Sequence, residues 1–330
     1  ELIEAAISRI EAVDDKVNAL PIRCFERAFG QAKSLDVGGV SEDPKNLGGL
    51  PIAVKDYNDV GGVRTTYGSP IYSDHVPKNS DATIGLLEAR GAIPVAKSNV
   101  PEWAGGHTFN PVHGITRNPW NTNRSAGGSS GGSAVAVATG QVWLATGNDL
   151  GGSLRTPAGF NGVAGLRPSP GVVPRGKRLQ PFDTLWVEGP MGRSIADVAL
   201  MLDAGAGHVS HDPLSFEPAV QSYVGVLKEA RLPRRIAFSN DLGVVPIAKD
   251  VANVTEVAIK QLAGQGIDIT NDIPDFTGIL DAFHTLRAVL LGTMMGELLE
   301  THRDRISEDI VKNIERGFTV TPEDLFQAER

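Results

Sequence analysis

Any fold for this chain has to accommodate Ser125–Pro168, which reads SAGGSSGGSAVAVATGQVWLATGNDLGGSLRTPAGFNGVAGLRP. One Gly/Ser cluster spans 127–133, and a second is Gly151-Gly152-Ser153. Between them lie a small-residue run suited to tight packing, Ala134 to Thr139, and an apolar run, Val142 to Ala145. A flexible Gly/Ser linker is not interleaved with apolar segments in this way. Glycine lets a backbone take positive φ and approach other groups closely. Hydroxyls set among glycines at the ends of apolar segments point to backbone N–H donors gathered around a reactive serine. Tight helix–strand packing through the same glycines is compatible with that chemistry.

The chain has 330 residues, 41% of them hydrophobic, enough for a sizeable core in one large α/β domain or two smaller ones. The formal net charge is −8 and no basic patch stands out, so nucleic acid is not an expected ligand. A single cysteine, Cys24, excludes an internal disulfide and a cysteine metal cluster, and fits a reducing, cytoplasmic setting. No apolar run approaches the roughly 18 residues of a membrane span, and no signal-peptide pattern opens the sequence. It begins at Glu1 rather than Met, which suggests a trimmed N-terminus.

Ile3, Ile7 and Ile10 give residues 2–13 a helical period, and 23–35 read as a second helix. Gly49-Leu-Pro-Ile-Ala-Val54 reads as a buried strand with Lys55 at its carboxyl end, where ligands bind in open α/β sheets. A lysine there either snorkels to the surface or serves as a desolvated base. A helix over 82–90 and a strand over 93–96 complete a β-α-β unit, followed by a long irregular segment, 98–124. Residues 170–192 show little periodicity. Ser194 can cap a helix with Asp197 three residues on. A strand at 235–239, a helix at 251–263 and a strand at 267–269 form a second β-α-β unit. Helices are expected over 279–302 and 306–316, with Met294-Met295 as core.

Gly127-Gly-Ser-Ser-Gly131 matches the letters G-x-S-x-G of a nucleophile elbow, which needs an acid and a histidine later in the chain. His208, His211, His284 and His302 are available, none in a suggestive setting. A phosphate-binding loop is excluded because no Gly-Lys-Ser/Thr follows the glycines. No metal-ligand spacing is present, so neither metal nor cofactor is expected.

A larger set of motifs resembles the amidase signature family, serine hydrolases that use a Ser–cis-Ser–Lys triad. The resemblance rests on 127–133, on Gly147-Asn-Asp-Leu-Gly-Gly-Ser-Leu-Arg155 and on Pro157-Ala-Gly-Phe-Asn-Gly-Val-Ala-Gly-Leu-Arg-Pro168. It extends to Gly49–Asp56, Gly114–Trp120 and Gly189–Asp197, covering nearly the whole chain in consistent order. Asn161 and Arg167 depart from the family's frequent Cys and Lys. Residues 169–182 diverge from the glutaminase subunits of the transamidosome.

The resemblance implies one α/β domain over 1–330, a mixed β-sheet sandwiched between α-helices, lacking the family's C-terminal part. It implies that Ser153 is the acylated nucleophile, Ser129 the bridging serine after a cis peptide bond, and Lys55 the base. The N–H groups of Leu150, Gly151, Gly152 and Ser153 would form the oxyanion hole, with Ser130, Asp149 and Arg155 behind them. The implied activity is hydrolysis of a small-molecule carboxamide to acid and amine or ammonia, with no membrane partner and a homodimer allowed. Two other readings stand beside it: a glutaminase-type subunit of a tRNA-dependent amidotransferase, and an inactive truncated homologue acting as a binding module.

The chemistry those residue types can do agrees. A serine hydroxyl needs an adjacent base to become a nucleophile. A lysine, ordinarily charged near neutral pH, can be that base if burial disfavours its charge. A bridging hydroxyl both accepts and donates. The expected geometry is one chain of contacts, about 2.6–3.2 Å each with some looseness allowed without ligand, from Lys55 Nζ through Ser129 Oγ to Ser153 Oγ, with Asp56 turned to the opposite face. Tyr57, Trp103 and Phe109 are candidate walls of the acyl site.

Overall fold

The first half of the chain builds the sheet that carries the site. In order come α1 (Leu2–Val17), β1 (Ile22–Arg23), α2 (Phe25–Gly38), β2 (Pro51–Lys55), α3 (Ala82–Ala89), β3 (Ile93–Ser98), β4 (Phe109–Asn110) and β5 (Gly114–Ile115). They are followed by α4 (Gly131–Ala138), β6 (Leu144–Asp149), α5 (Arg155–Asn161), β7 (Ala164–Gly165), β8 (Val187–Gly192) and α6 (Ile195–Gly205). The computed structural model describes residues 1–38, 43–176, 179–218 and 222–330.

The six-stranded sheet has the order β1-β3-β2-β6-β8-β7. β2 runs parallel to β3 and β6, while β1, β8 and β7 are antiparallel to their neighbours, so the sheet is mixed. Its central strands are buried along their whole length, which is why 51–54 reads as a continuous apolar run rather than an alternation. Successive side chains on a strand face opposite sides. Ala53 and Ala145 accordingly pack with α1 and α4, whereas Ile52, Val54 and Leu144 pack with α3 and α6. By the same alternation Lys55 shares the α4 side with Ala53. Ser194 and Asp197 form the expected reciprocal cap of α6.

The close meeting of α4 with the sheet depends on glycine. A Cβ on Gly132 would lie 2.3 Å from Asn99 N and 2.7 Å from Ala19 O, both backbone atoms that cannot turn aside.

The second half adds α7 (Tyr223–Lys228), β9 (Arg235–Phe238), α8 (Lys249–Ala263), β10 (Asp268–Asn271), α9 (Ile279–His302), α10 (Glu308–Thr319) and α11 (Pro322–Glu329). β9 and β10 pair in parallel as a separate sheet around the α8 crossover, the second β-α-β unit expected from the sequence. Met295 joins Ile306, Ile310, Val311 and Ile314 in a cluster that ties α9 to α10. Sequence periodicity missed α4, α5, α7, β8 and α11. β8 lies within the aperiodic 170–192 segment, of which Lys177 and Arg178 fall outside the described residues. No helix among the described residues is long and apolar enough to cross a membrane.

Candidate active site

β2 ends in Lys55, and the loop entering α4 supplies Ser129. The Gly128–Ser129 peptide bond is cis. Lys55 is fully buried, and its Nζ donates to Ser129 Oγ at 2.7 Å and to Asn148 Oδ1 at 2.5 Å. Burial pushes the amine down to about 7, against the pull of the Glu188 and Asp149 charges that favour the ammonium. Asp56 turns to the other side, where Lys97 Nζ donates to its carboxylate at 3.1 Å and Thr66 donates from both N–H and hydroxyl. The acid next to Lys55 in sequence is thus engaged elsewhere.

Ser153 lies in the loop between β6 and α5, which Asp149 folds around itself. The Asp149 carboxylate accepts from Gly152 N at 2.8 Å, Leu154 N at 3.1 Å, Arg155 Nε at 3.0 Å and Arg167 at 3.1 Å. Burial alone would raise its pKa, but Arg155 and the two amides hold it at about 2. Gly152 takes φ +115°, which permits that turn. Ser130 steadies the same loop: its N–H donates to Ser153 O at 3.3 Å, and its hydroxyl to Asn148 O at 3.4 Å.

Two expectations need correction. Ser129 Oγ and Ser153 Oγ face one cavity, but no hydrogen bond joins them; the chain of contacts closes only from Lys55 to Ser129. The Gly152 N–H is consumed by Asp149 Oδ1, so it is not free to meet an oxyanion. The amides of Leu150, Gly151 and Ser153 donate to no acceptor among the described residues.

A buried lysine on a cis-linked serine, with a second serine on a loop of amides, is a definite site to set beside known proteins. The family model for Amidase matches residues 1–323. The chain belongs to the amidase family. It is 40% identical over 243 residues to a glutamyl-tRNA(Gln) amidotransferase subunit of Anaeromyxobacter dehalogenans (strain 2CP-C), covering 73% of this chain and 49% of that protein. It is 37% identical over 281 residues to an acylamidase of Rhodococcus erythropolis, covering 84% of this chain and 58% of that protein. Among solved structures, 6-aminohexanoate cyclic dimer hydrolase complexed with substrate superposes with a TM-score of 0.89 at 28% identity, over 99% of this chain and 70% of that one. The chain thus spans about half to three fifths of the length of these curated relatives.

In this amidase-family chain a cavity of about 340 Å³ opens over Ser153 and Ser129. Tyr57 and Trp103 line it as expected, but Phe109 does not: it is 63% exposed on the β4–β5 hairpin. Trp186 from the β8 approach and Phe283, Arg287 and Met294 from α9 complete its walls. None of His208, His211, His284 and His302 lines it; His107 does, but it precedes Ser129 in the chain, so the nucleophile-elbow reading of Ser129 lacks the later histidine that it needs. A second chamber of about 250 Å³ shares Tyr57, Trp186, Leu290 and Met294 with it.

Sequence reasoning missed Asn148, Lys97 and the α9 wall. Asn148 stood in a quoted motif, but its role depends on strand register. Ile52 lies beside Leu144 and Ala53 beside Ala145, and continuing that register brings Lys55 within reach of Asn148. The signal for α9 was its length and apolar content, which say nothing of where it packs.

Proposed function

We propose that this chain hydrolyses a carboxamide through an acyl-enzyme ester on Ser153. The observation that carries the reading is the buried Lys55, held near neutrality in pKa and bonded to Ser129 rather than to a carboxylate. In the free amine, Nζ donates to Asn148 Oδ1, which leaves its lone pair directed at Ser129. As Ser153 Oγ attacks the amide carbon, its proton passes to Ser129 Oγ while the Ser129 proton passes to Lys55 Nζ. The Ser129–Ser153 contact, open in the free protein, closes when substrate seats; catalytic hydrogen bonds commonly tighten this way. The carbonyl π pair moves to oxygen, met by the amides of Leu150, Gly151 and Ser153. Each such donor is worth about 3–4 kcal/mol of barrier. Collapse breaks the C–N bond, and the amine leaves with a proton returned through Ser129. Water then enters by the same relay and releases the acid, so that amide plus water gives acid plus amine or ammonia.

Asp149 touches no reacting atom in this scheme. Its pairing with Arg155 and Arg167 holds the loop so that neighbouring amides converge. Steady-state hydrolysis of short amides, lost in Ser153→Ala and Lys55→Ala with the fold retained, tests the reading. Amide turnover surviving in Ser153→Ala defeats it.

The identity to an amidotransferase subunit supports a second reading, in which the same acyl-Ser153 chemistry releases ammonia from glutamine for a partner protein. Glutamine hydrolysis that appears only when partner proteins are added distinguishes it from a self-sufficient amidase.

A further inference from the structure

The lining of the catalytic cavity has a charge pattern that selects among amides. Among the described residues that line it there is no aspartate or glutamate, whereas Arg287 of α9 reaches in. Arg287 follows Phe283 by one helical turn on the same face. The tip of the Phe283 ring lies 2.9 Å from where a Cβ on Gly151 would sit, so Phe283 covers the loop that presents Ser153. Arg287 Cα is then about 6 Å further along the helix axis. Leu290, Leu291 and Met294 continue the stripe as an apolar wall.

The guanidinium is half-buried and has no carboxylate partner among the described residues. One of its nitrogens donates to Asn313 Oδ1 at 2.5 Å. A guanidinium offers five N–H donors in a planar fork, and a strut between α9 and α10 needs only the Asn313 contact. Burial depresses its pKa, and the charge of another cation, Arg316, lowers it further. A partly desolvated cation beside a like charge gains when an anion arrives, most of all one whose two oxygens match the fork.

We propose that the substrate is an amide that also bears a carboxylate a few carbons from the scissile bond, and that Arg287 binds this carboxylate while Ser153 meets the carbonyl. The inference rests on the amide-hydrolase reading of the site. The apolar stripe beside Arg287 accommodates the methylenes between the two groups, so linear ω-carboxy amides are the simplest members of the class.

The test compares kcat/KM for succinamate, glutaramate and adipamate with butyramide, pentanamide and hexanamide. At least one carboxylate should be preferred over its neutral counterpart by about 10-fold or more, the scale of a charge-assisted bidentate contact. In Arg287→Met and Arg287→Gln the ratio should fall to near parity, and Arg287→Lys should retain part of it. Calorimetry with glutarate on Ser153→Ala protein, with and without Arg287→Gln, reads the same site without turnover. Neutral amides turned over with no carboxylate preference, and no glutarate bound, would overturn the inference and leave the hydrolase reading standing. Glutarate bound through Arg287 in a protein that hydrolyses no amide would overturn the hydrolase reading and the substrate inference with it, leaving only an anion site at Arg287.

Discussion

In the proposed mechanism Lys55 decides whether the site works, because a charged ammonium cannot take a proton from Ser129. Burial lowers its pKa to about 7, so the acidic limb of kcat/KM should titrate near that value. The sign for variants follows from what each does to the ammonium. Asn148→Asp sets a carboxylate where Oδ1 now stands 2.5 Å from Nζ, favours the charged form and should move the limb up by about 1–3 pH units. Glu188→Gln removes a charge that favours the ammonium, and the limb should move down. A pH–rate profile unmoved by either substitution would show that Lys55 is not the group being titrated. Asp149 is the structural counterpart. Its folded pKa of about 2 lies below the ordinary 3.8, so its contribution to stability is complete above 3.8 and is lost as pH falls toward 2. Asp149→Asn should cost roughly 2–3 kcal/mol in urea unfolding at neutral pH, less than a fully buried pair because Arg155 is 58% exposed. A change under about 0.5 kcal/mol, the ordinary surface range, would show that the loop holds itself.

Among the elements, α4 links the packing of the sheet to the placement of Ser129. Gly132→Ala should destabilise by about 2–3 kcal/mol, since the new methyl meets fixed backbone at Asn99 and Ala19. Gly85→Ala in α3, where nothing lies within 4 Å, should instead stabilise by about 0.5–1 kcal/mol. Urea midpoints moving in the same direction for both would contradict this account of why glycine stands at 132. These elements also mark what could be read beforehand. α1, α3, β2 and β3 were legible because their apolar residues keep a period or a continuous buried run. α4 was not, because GGSAVAVA alternates in the manner of a strand and opens with two poor helix formers. It is helical because tertiary contacts require small residues there. β8 hides for a similar reason: VEGPMG lacks the β-branched pattern, and its register with β6 is set by long-range pairing.

Across the molecule, the motifs pointed to Lys55, Ser129 and Ser153; the fold sets the buried Lys55 against Ser129, and Ser129 and Ser153 line one cavity. The sequence could not show that Asp149 takes up the Gly152 amide, since that follows from how the 150–154 loop curls around a buried carboxylate. Nor could it show the α9 wall, which comes from more than 100 residues beyond Ser153 in the chain. The central claim is that Ser153 carries the acyl group and Ser129 only relays protons. One tryptic peptide, Ser125–Arg155, holds both serines, whereas cleavage before Asp149 separates them. The direct measurement is mass spectrometry of the chain after fluorophosphonate treatment, digested on the amino side of aspartate. The added mass should sit on the fragment that begins at Asp149 and vanish in Ser153→Ala. The same mass on the fragment ending at Asn148, localised to Ser129, would contradict the account.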